Sequence, residues 1–230
     1  MTPLVLLPGM MCDARLFEAQ TAAFSSTRAV HIGPMREDSV TASAALILRD
    51  APPLFALAGL SMGGIVAMEV LRLAPDRVDR IALLDTNHRA ETVEIRARRE
   101  PQIEKVQMGK LEGVMRDEMK PNYLTDGPHW ARILDLCLEM AKTLGPEVFV
   151  AQSRALQNRP DQTVTLQSCA VPALILCGRD DMLCPVHRHE SMHSLIARST
   201  LEIIEKAGHL PTLEQPEQTT AALARWLEAT

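Results

Sequence analysis

The sequence predicts an α/β domain, a mostly parallel sheet of about six strands flanked by helices, with a helical segment inserted into it. Three observations predict this. Short apolar runs bounded by turn residues alternate with longer amphipathic stretches, as in βα units that build a sheet buried on both faces. That alternation stops between Thr86 and Val171, where only helical periodicity runs on. A glycine-flanked serine, Gly59-Leu60-Ser61-Met62-Gly63, stands where an apolar strand gives way to an amphipathic helix.

In chain order the strands are expected at Leu4–Leu7, Ala29–Ile32, Leu54–Gly59, Arg80–Leu84, Ala173–Cys177 and Leu201–Ile204, each a short apolar run. Between them, apolar residues at helical spacing predict helices at Arg15–Ala23, Thr41–Asp50, Met62–Ala74, Val186–Ile196 and Glu214–Glu228. Within the inserted segment, Met108, Leu111, Met115 and Met119, and then Leu134, Leu138 and Ala141, recur every three or four residues. Pro101, Pro121, Pro128, Pro146 and Pro160 punctuate it, which predicts three or four helices broken near those positions. No internal repeat is present.

The chain has 230 residues, 47% hydrophobic and 23% charged, with 11 glycines and 15 prolines. Collagen-like, low-complexity and disordered classes are excluded. The length fits one large domain or a domain carrying an insertion. Twenty-four basic residues against 29 acidic ones give a formal charge of −5, which argues against a nucleic-acid partner held by phosphate neutralisation. Cys12, Cys137, Cys169, Cys177 and Cys184 are odd in number and lack CxxC spacing, so packed, reduced thiols are expected. The opening Met-Thr-Pro-Leu-Val-Leu-Leu-Pro-Gly has no basic region, and its apolar run is too short for an export signal or a membrane span. A cytoplasmic protein without a membrane span is the expectation.

The glycine-flanked serine carries the chemistry. A serine on a sharp strand-to-helix turn projects its hydroxyl above the sheet edge, and side chains two residues before and after it would strike neighbouring backbone. Gly59 and Gly63 fill those positions. A free serine hydroxyl is a weak nucleophile and needs a base, and the base needs an acid to fix its tautomer. His209, in Ala207-Gly208-His209-Leu210-Pro211, follows the last strand at the same carboxyl edge. His31, His88, His129, His187, His189 and His193 follow no core strand with a glycine beside them.

The acid is assigned to Asp181 in Gly178-Arg179-Asp180-Asp181-Met182-Leu183-Cys184-Pro185, because strand, G-x-x-D and proline make a tight turn along the sheet edge. Asp180 is read as capping the turn or facing solvent. Asp85, at the end of the strand after the serine, is the alternative acid, its other role being to cap the first inserted helix. Two backbone N–H groups suffice to hold an oxyanion. Met62, after the serine, and Met10, in the loop after the first strand, are expected to supply them.

Together these residues resemble the α/β-hydrolase superfamily over nearly the whole chain, and among its members the compact bacterial carboxylesterases of the pimeloyl-carrier-protein methyl esterase and 3-oxoadipate enol-lactonase type. The order Ser61, Asp181, His209 matches that of the superfamily. The resemblance implies a hydrolase core at residues 1–86 and 170–230 with a helical cap at 87–169. It also implies cofactor-free, metal-free cleavage of an ester, thioester or lactone through an acyl-enzyme. Two departures stand out: the family's His-Gly is Pro8-Gly9 here, and the chain begins at the family's third strand, so the usual N-terminal hairpin is expected to be missing. The expected substrate is a small or medium, largely apolar ester. Fold and triad do not select the leaving group, so carbon–carbon bond hydrolysis, cofactor-free perhydrolysis, a lyase step and a non-catalytic ligand receptor stay open.

Three further features carry weaker signals. His187, His189 and His193 would place two imidazoles on one helical face, which a solvated surface explains more cheaply than a metal site lacking further ligands. Residues 91–120 carry seven basic and seven acidic side chains, a solvated pattern in which Arg96, Arg98 and Arg99 allow docking of an acidic acyl carrier without demanding it. Met108, Met115, Met119 and Met140 could line an apolar pocket over Ser61 or simply pack helices.

Overall fold

The computed structural model describes residues 1–119 and 123–229. Six strands form one sheet: β1 (Leu4–Leu7), β2 (Val30–Ile32), β3 (Phe55–Leu60), β4 (Val78–Leu84), β5 (Ala173–Gly178) and β6 (Ser199–Ile204). They lie in the order β2-β1-β3-β4-β5-β6, every pair parallel. Burial follows this order. Every residue of β1, β3 and β5 is buried, whereas the edge strands β2 and β6 are partly exposed. This is why the inner strands read as unbroken apolar runs.

Parallel neighbours require crossovers, and these are right-handed in nearly all proteins. The connection from β1 to β2, through α1 (Glu18–Phe24), steps one way along the sheet. Those through α2 (Val40–Asp50), α3 (Met62–Leu73) and α9 (Val186–Leu195) step the other way. Opposite steps of one hand put the helices on opposite faces. Accordingly α2 packs on α3 and α3 on β1, β3 and β4, while α1 pairs with the last helix, α11 (Pro216–Glu228). The direction of winding reverses between β1 and β3, so a crevice opens there at the carboxyl ends of the strands.

The 88 residues between β4 and β5 hold helices α4 (Val93–Gln107), α5 (Leu111–Gly113), α6 (Trp130–Leu144), α7 (Pro146–Gln157) and α8 (Thr163–Gln167), with a π-helical turn at Val114–Met119. Three or four helices were expected, and the segment is more finely divided. Pro146 opens α7 at its first position after Gly145 (φ 86°), as a helix start favours. Pro101 instead lies inside α4. The helix runs through it because α7 clamps the turn before the proline: Gln157 Nε2 donates to Arg96 O at 3.0 Å and to Glu100 Oε1 at 2.8 Å, and Arg154 pairs with Glu100. Pro121 and Lys120 lie outside the described residues.

Two predicted helices are split. Residues Ala14–Phe17 form a 3-10 turn capped by Asp13, whose side chain accepts the Arg15 N–H, and α1 starts only at Glu18. The terminal helix divides into α10 (Pro211–Glu214) and α11 because Gln215 precedes Pro216 and is held at φ −136°, ψ 63°. Among the described residues, no helix is long and apolar enough to cross a membrane.

Candidate active site

Ser61 sits at the end of β3 with φ 56° and ψ −116°, a strained conformation for a residue with a Cβ. Its surroundings fix it there. The Ser61 N–H donates to Leu84 O at 2.9 Å, and its carbonyl accepts the Thr86 hydroxyl at 2.7 Å. The turn is possible only with small flanking residues: a Cβ on Gly59 would lie 2.3 Å from Gly63 O, and one on Gly63 would lie 1.9 Å from Leu7 O. Both clashes are with backbone, which has no way to yield.

His209 arrives on the loop after β6. Its N–H donates to Tyr123 O at 2.7 Å, and the flanking Gly208 and Leu210 N–H groups both donate to Glu214 Oε2 at 3.0 Å. Glu214 Oε1 accepts the Thr125 N–H at 2.8 Å, so one carboxylate ties the histidine loop to the segment covering it. The Tyr123 ring meets the imidazole edge-on, with centroids 5.0 Å apart. Gly178 lets the loops after β5 and β6 close on each other, since a Cβ there would lie 2.0 Å from Gly208 O.

Across that contact the side chains line up. His209 Nδ1 is 2.8 Å from Asp181 Oδ2, and His209 Nε2 is 2.9 Å from Ser61 Oγ. Asp181 is 2% exposed, and its other oxygen accepts the N–H groups of Leu183 (2.8 Å) and Cys184 (2.9 Å). Burial alone would raise its pKa. The adjoining His209 and the two backbone donors outweigh that and bring the carboxyl down to about 2. With Asp181 ionised, Nδ1–H donates to it and Nε2 is left as the acceptor toward the Ser61 hydroxyl.

Asp85 is differently placed. It is fully buried at φ 43°, one oxygen accepts the Gly178 N–H at 2.8 Å, and the other has no hydrogen-bond partner among the described residues. Burial, then the neighbouring charge of Asp181, pushes its pKa well above the ordinary carboxyl range. A neutral acid here cannot compensate an imidazolium charge. Asp180 is exposed, and its N–H donates to Ala207 O at 2.9 Å.

The expected solvated histidine face is not what the structure shows. His189 is fully buried, and its Nε2 accepts the Thr86 N–H at 3.1 Å, behind the serine turn. Burial lowers its pKa to about 4, so the ring stays neutral. His193 is turned to Ser199 Oγ at 2.7 Å. Among the described residues, only Asp181, Cys184 and His209 bring three ligand-type atoms within 4.8 Å of one another. Burial and the Asp181 charge push the Cys184 thiol far up, which disfavours the thiolate a metal would need.

The loop after β1 passes against the serine: a Cβ on Gly9 would be 3.4 Å from Ser61 Cβ. Met10 and Met62 both line the cavity over Ser61, and the Met62 N–H, first in α3, has no intrahelical acceptor. The loop is pinned from above by α7. Gln152 Oε1 accepts the Met11 N–H at 2.8 Å, and its Nε2 donates to Met35 O at 2.5 Å, both buried. The cavity measures about 410 Å³. Of the four methionines considered for its lining, Met119 is there; Met115 and Met140 are packed inside, and Met108 is 72% exposed. Arg99 is turned inward onto Glu91 at 2.5 Å rather than outward to a carrier.

Gln152, Glu214 and Thr86 are not marked as supports of the site by the sequence, and His189 is marked only as part of a helical histidine face. Glu214, five residues after His209, was read only as the start of a helix. Gln152 gives no signal in one dimension, since its partners are 141 and 117 residues away.

Comparison with known proteins agrees with this architecture. The chain is 28% identical to a thermophilic esterase from Thermogutta terrifontis, solved with malate bound, with a TM-score of 0.90 over 99% of this chain and 89% of that one. It is 32% identical over 116 residues to a proline iminopeptidase of Heyndrickxia coagulans, half of this chain and 38% of that protein. It is 24% identical over 177 residues to the pimeloyl-[acyl-carrier protein] methyl ester esterase of Neisseria meningitidis, 74% of this chain and 68% of that protein. The chain spans about half the length of several other curated relatives it matches. The model of the alpha/beta hydrolase family matches residues 4–223, and the chain belongs to that family.

Proposed function

We propose that the chain is a serine esterase acting through an acyl-enzyme, with residues 1–86 and 170–230 as its core and 87–169 as a cap over the site. The observation that carries this reading is the unbroken run of hydrogen bonds from Asp181 through His209 to a strained, cavity-facing Ser61. Ser61 Oγ attacks the ester carbon while His209 Nε2 takes the hydroxyl proton. Asp181 keeps Nδ1 protonated and stabilises the imidazolium that forms. The Met10 and Met62 N–H groups receive the oxyanion, which the N-terminal end of α3 also favours. His209 then passes its proton to the departing alkoxide. Water, deprotonated by the same nitrogen, adds to the acyl carbon, and His209 returns that proton to Ser61 Oγ as the bond from Oγ to the acyl carbon breaks.

The esterase and methyl ester esterase among the similar proteins support an ester as substrate. The test is turnover of short and medium methyl and p-nitrophenyl esters. Wild-type protein is expected to hydrolyse them, and Ser61→Ala to lose at least about 10⁴-fold in kcat. Absence of turnover across all chain lengths, or full activity in Ser61→Ala, contradicts the proposal.

A further inference from the structure

The cavity over Ser61 carries more charge than an apolar substrate requires. Four arginines face it, Arg98, Arg99, Arg159 and Arg188, against two glutamates, Glu91 and Glu118. Both carboxylates are already committed. Glu91, with its side chain 1% exposed, pairs with Arg99 at 2.5 Å and with Arg159 at 3.3 Å, and Glu118 pairs with Lys105 at 2.7 Å outside the cavity. Among the described residues, neither Arg98 nor Arg188 makes an ion pair. The protein as a whole is negative at −5, yet its active-site cavity holds an excess of positive charge.

Arg188 is the more telling of the two. It is half-buried, and it stands in the first turn of α9 (Val186–Leu195), where the helix dipole disfavours a cation. Burial lowers the Arg159 pKa, Glu91 opposes the fall, and Arg99 and Arg188 deepen it, so the charge of Arg188 is added to two arginines that already share one buried carboxylate. A partly desolvated cation without a counter-ion is costly unless an anion arrives to complete it. A guanidinium fork matches a carboxylate in shape as well as charge.

We propose that Arg188, with Arg98 at the cavity mouth, binds a free carboxylate carried by the substrate, so that the ester cleaved at Ser61 belongs to the monoesters of dicarboxylic acids. This narrows the expectation of a largely apolar ester and rests on the esterase reading of the site. The apolar wall of the same cavity, Ile65, Leu156 and Leu183, takes the methylene chain between ester and carboxylate.

The experiment compares kcat/KM for monomethyl glutarate and methyl valerate, followed by acid release, in wild type, Arg188→Met and Arg188→Lys. Protection of Ser61 from a fluorophosphonate by glutarate is measured alongside. Wild type is expected to prefer monomethyl glutarate, and that preference to fall by about 10- to 100-fold in Arg188→Met and by less in Arg188→Lys, which keeps the charge but not the fork. Glutarate is expected to slow labelling of wild type and to protect Arg188→Met much less. The preference should also weaken as salt is raised. Equal use of the two esters by wild type, an unchanged preference in Arg188→Met, or equal protection of both proteins overturns the carboxylate assignment while leaving the esterase reading intact. Loss of both turnover and labelling in wild type overturns the two together.

Discussion

The carboxyl edge of the sheet and the helical segment above it are built by different physics. At the sheet edge, apolar strands buried on both faces end in tight turns, and each turn presents a residue of the site: Met10 after β1, Ser61 after β3, Asp181 after β5 and His209 after β6. Backbone sterics fix their positions, through glycines whose replacement would collide with main chain. The segment between β4 and β5 packs apolar side chains such as Ile103, Met115, Met140 and Phe149 into the same core and is tied further by polar side chains. Glu91 joins Arg99 and Arg159, Arg154 and Gln157 hold Glu100, and Gln152 reaches down to the loop after β1. The difference teaches that the proposed catalytic geometry rests on backbone sterics at the sheet edge, whereas the segment above it is tied by charges that substitution can redistribute.

Substitutions should separate these halves. The largest effect is expected between the two buried acids: Asp181→Asn should lower kcat by about 10⁴-fold, because His209 loses the acceptor that fixes its tautomer. Asp85→Asn should cost less than about 10-fold, because a neutral amide replaces an acid already held neutral. Equal losses in steady-state kinetics would mean that both carboxyls serve His209. Next, Gly63→Ala should abolish soluble folded protein or lower stability by more than about 3 kcal/mol, since its Cβ would meet the Leu7 carbonyl. Denaturant unfolding measures this.

Within the polar half, Glu91→Gln should cost about 2–4 kcal/mol by stranding two arginines. Hydrogen exchange should show the loss concentrated in α4 and α7, with β3 and β5 still protected. Uniform loss of protection would erase the contrast drawn between the halves. A smaller effect is expected from acid. Glu69 is buried in α3 and is held at a pKa of about 2, chiefly by the Arg72 hydrogen bond, against burial, with Thr41 and Gln162 assisting. Its folded pKa lies below its unfolded one, so its contribution is complete above about pH 4.5 and is lost as pH falls toward 2. Glu69→Gln should flatten that part of the stability–pH curve; an unchanged slope would assign the acid sensitivity elsewhere.

The same contrast decides what could be read from one dimension. Strand positions, the alternation of helices and the serine turn follow from local sterics and hydrophobic periodicity, and the observed strand ends lie within two residues of the expected ones. Ser61, Asp181 and His209, far apart in sequence, come within hydrogen-bond distance because each follows a core strand, and the ends of parallel strands meet at one edge. Pro101 misled because tertiary clamps from α7 outweigh one lost backbone hydrogen bond. His189 misled because helical spacing says which residues share a face but not which face is buried. Gln152 and Glu214 were invisible as supports because their partners are defined only once the chain has folded.

The most direct measurement on the central claim is labelling by a fluorophosphonate, mapped by mass spectrometry in wild type, His209→Ala and Asp181→Asn. Modification is expected at Ser61 alone in wild type, slowed by orders of magnitude in both variants. Labelling at another residue, or at Ser61 with the same rate in all three proteins, would contradict activation of that hydroxyl by His209.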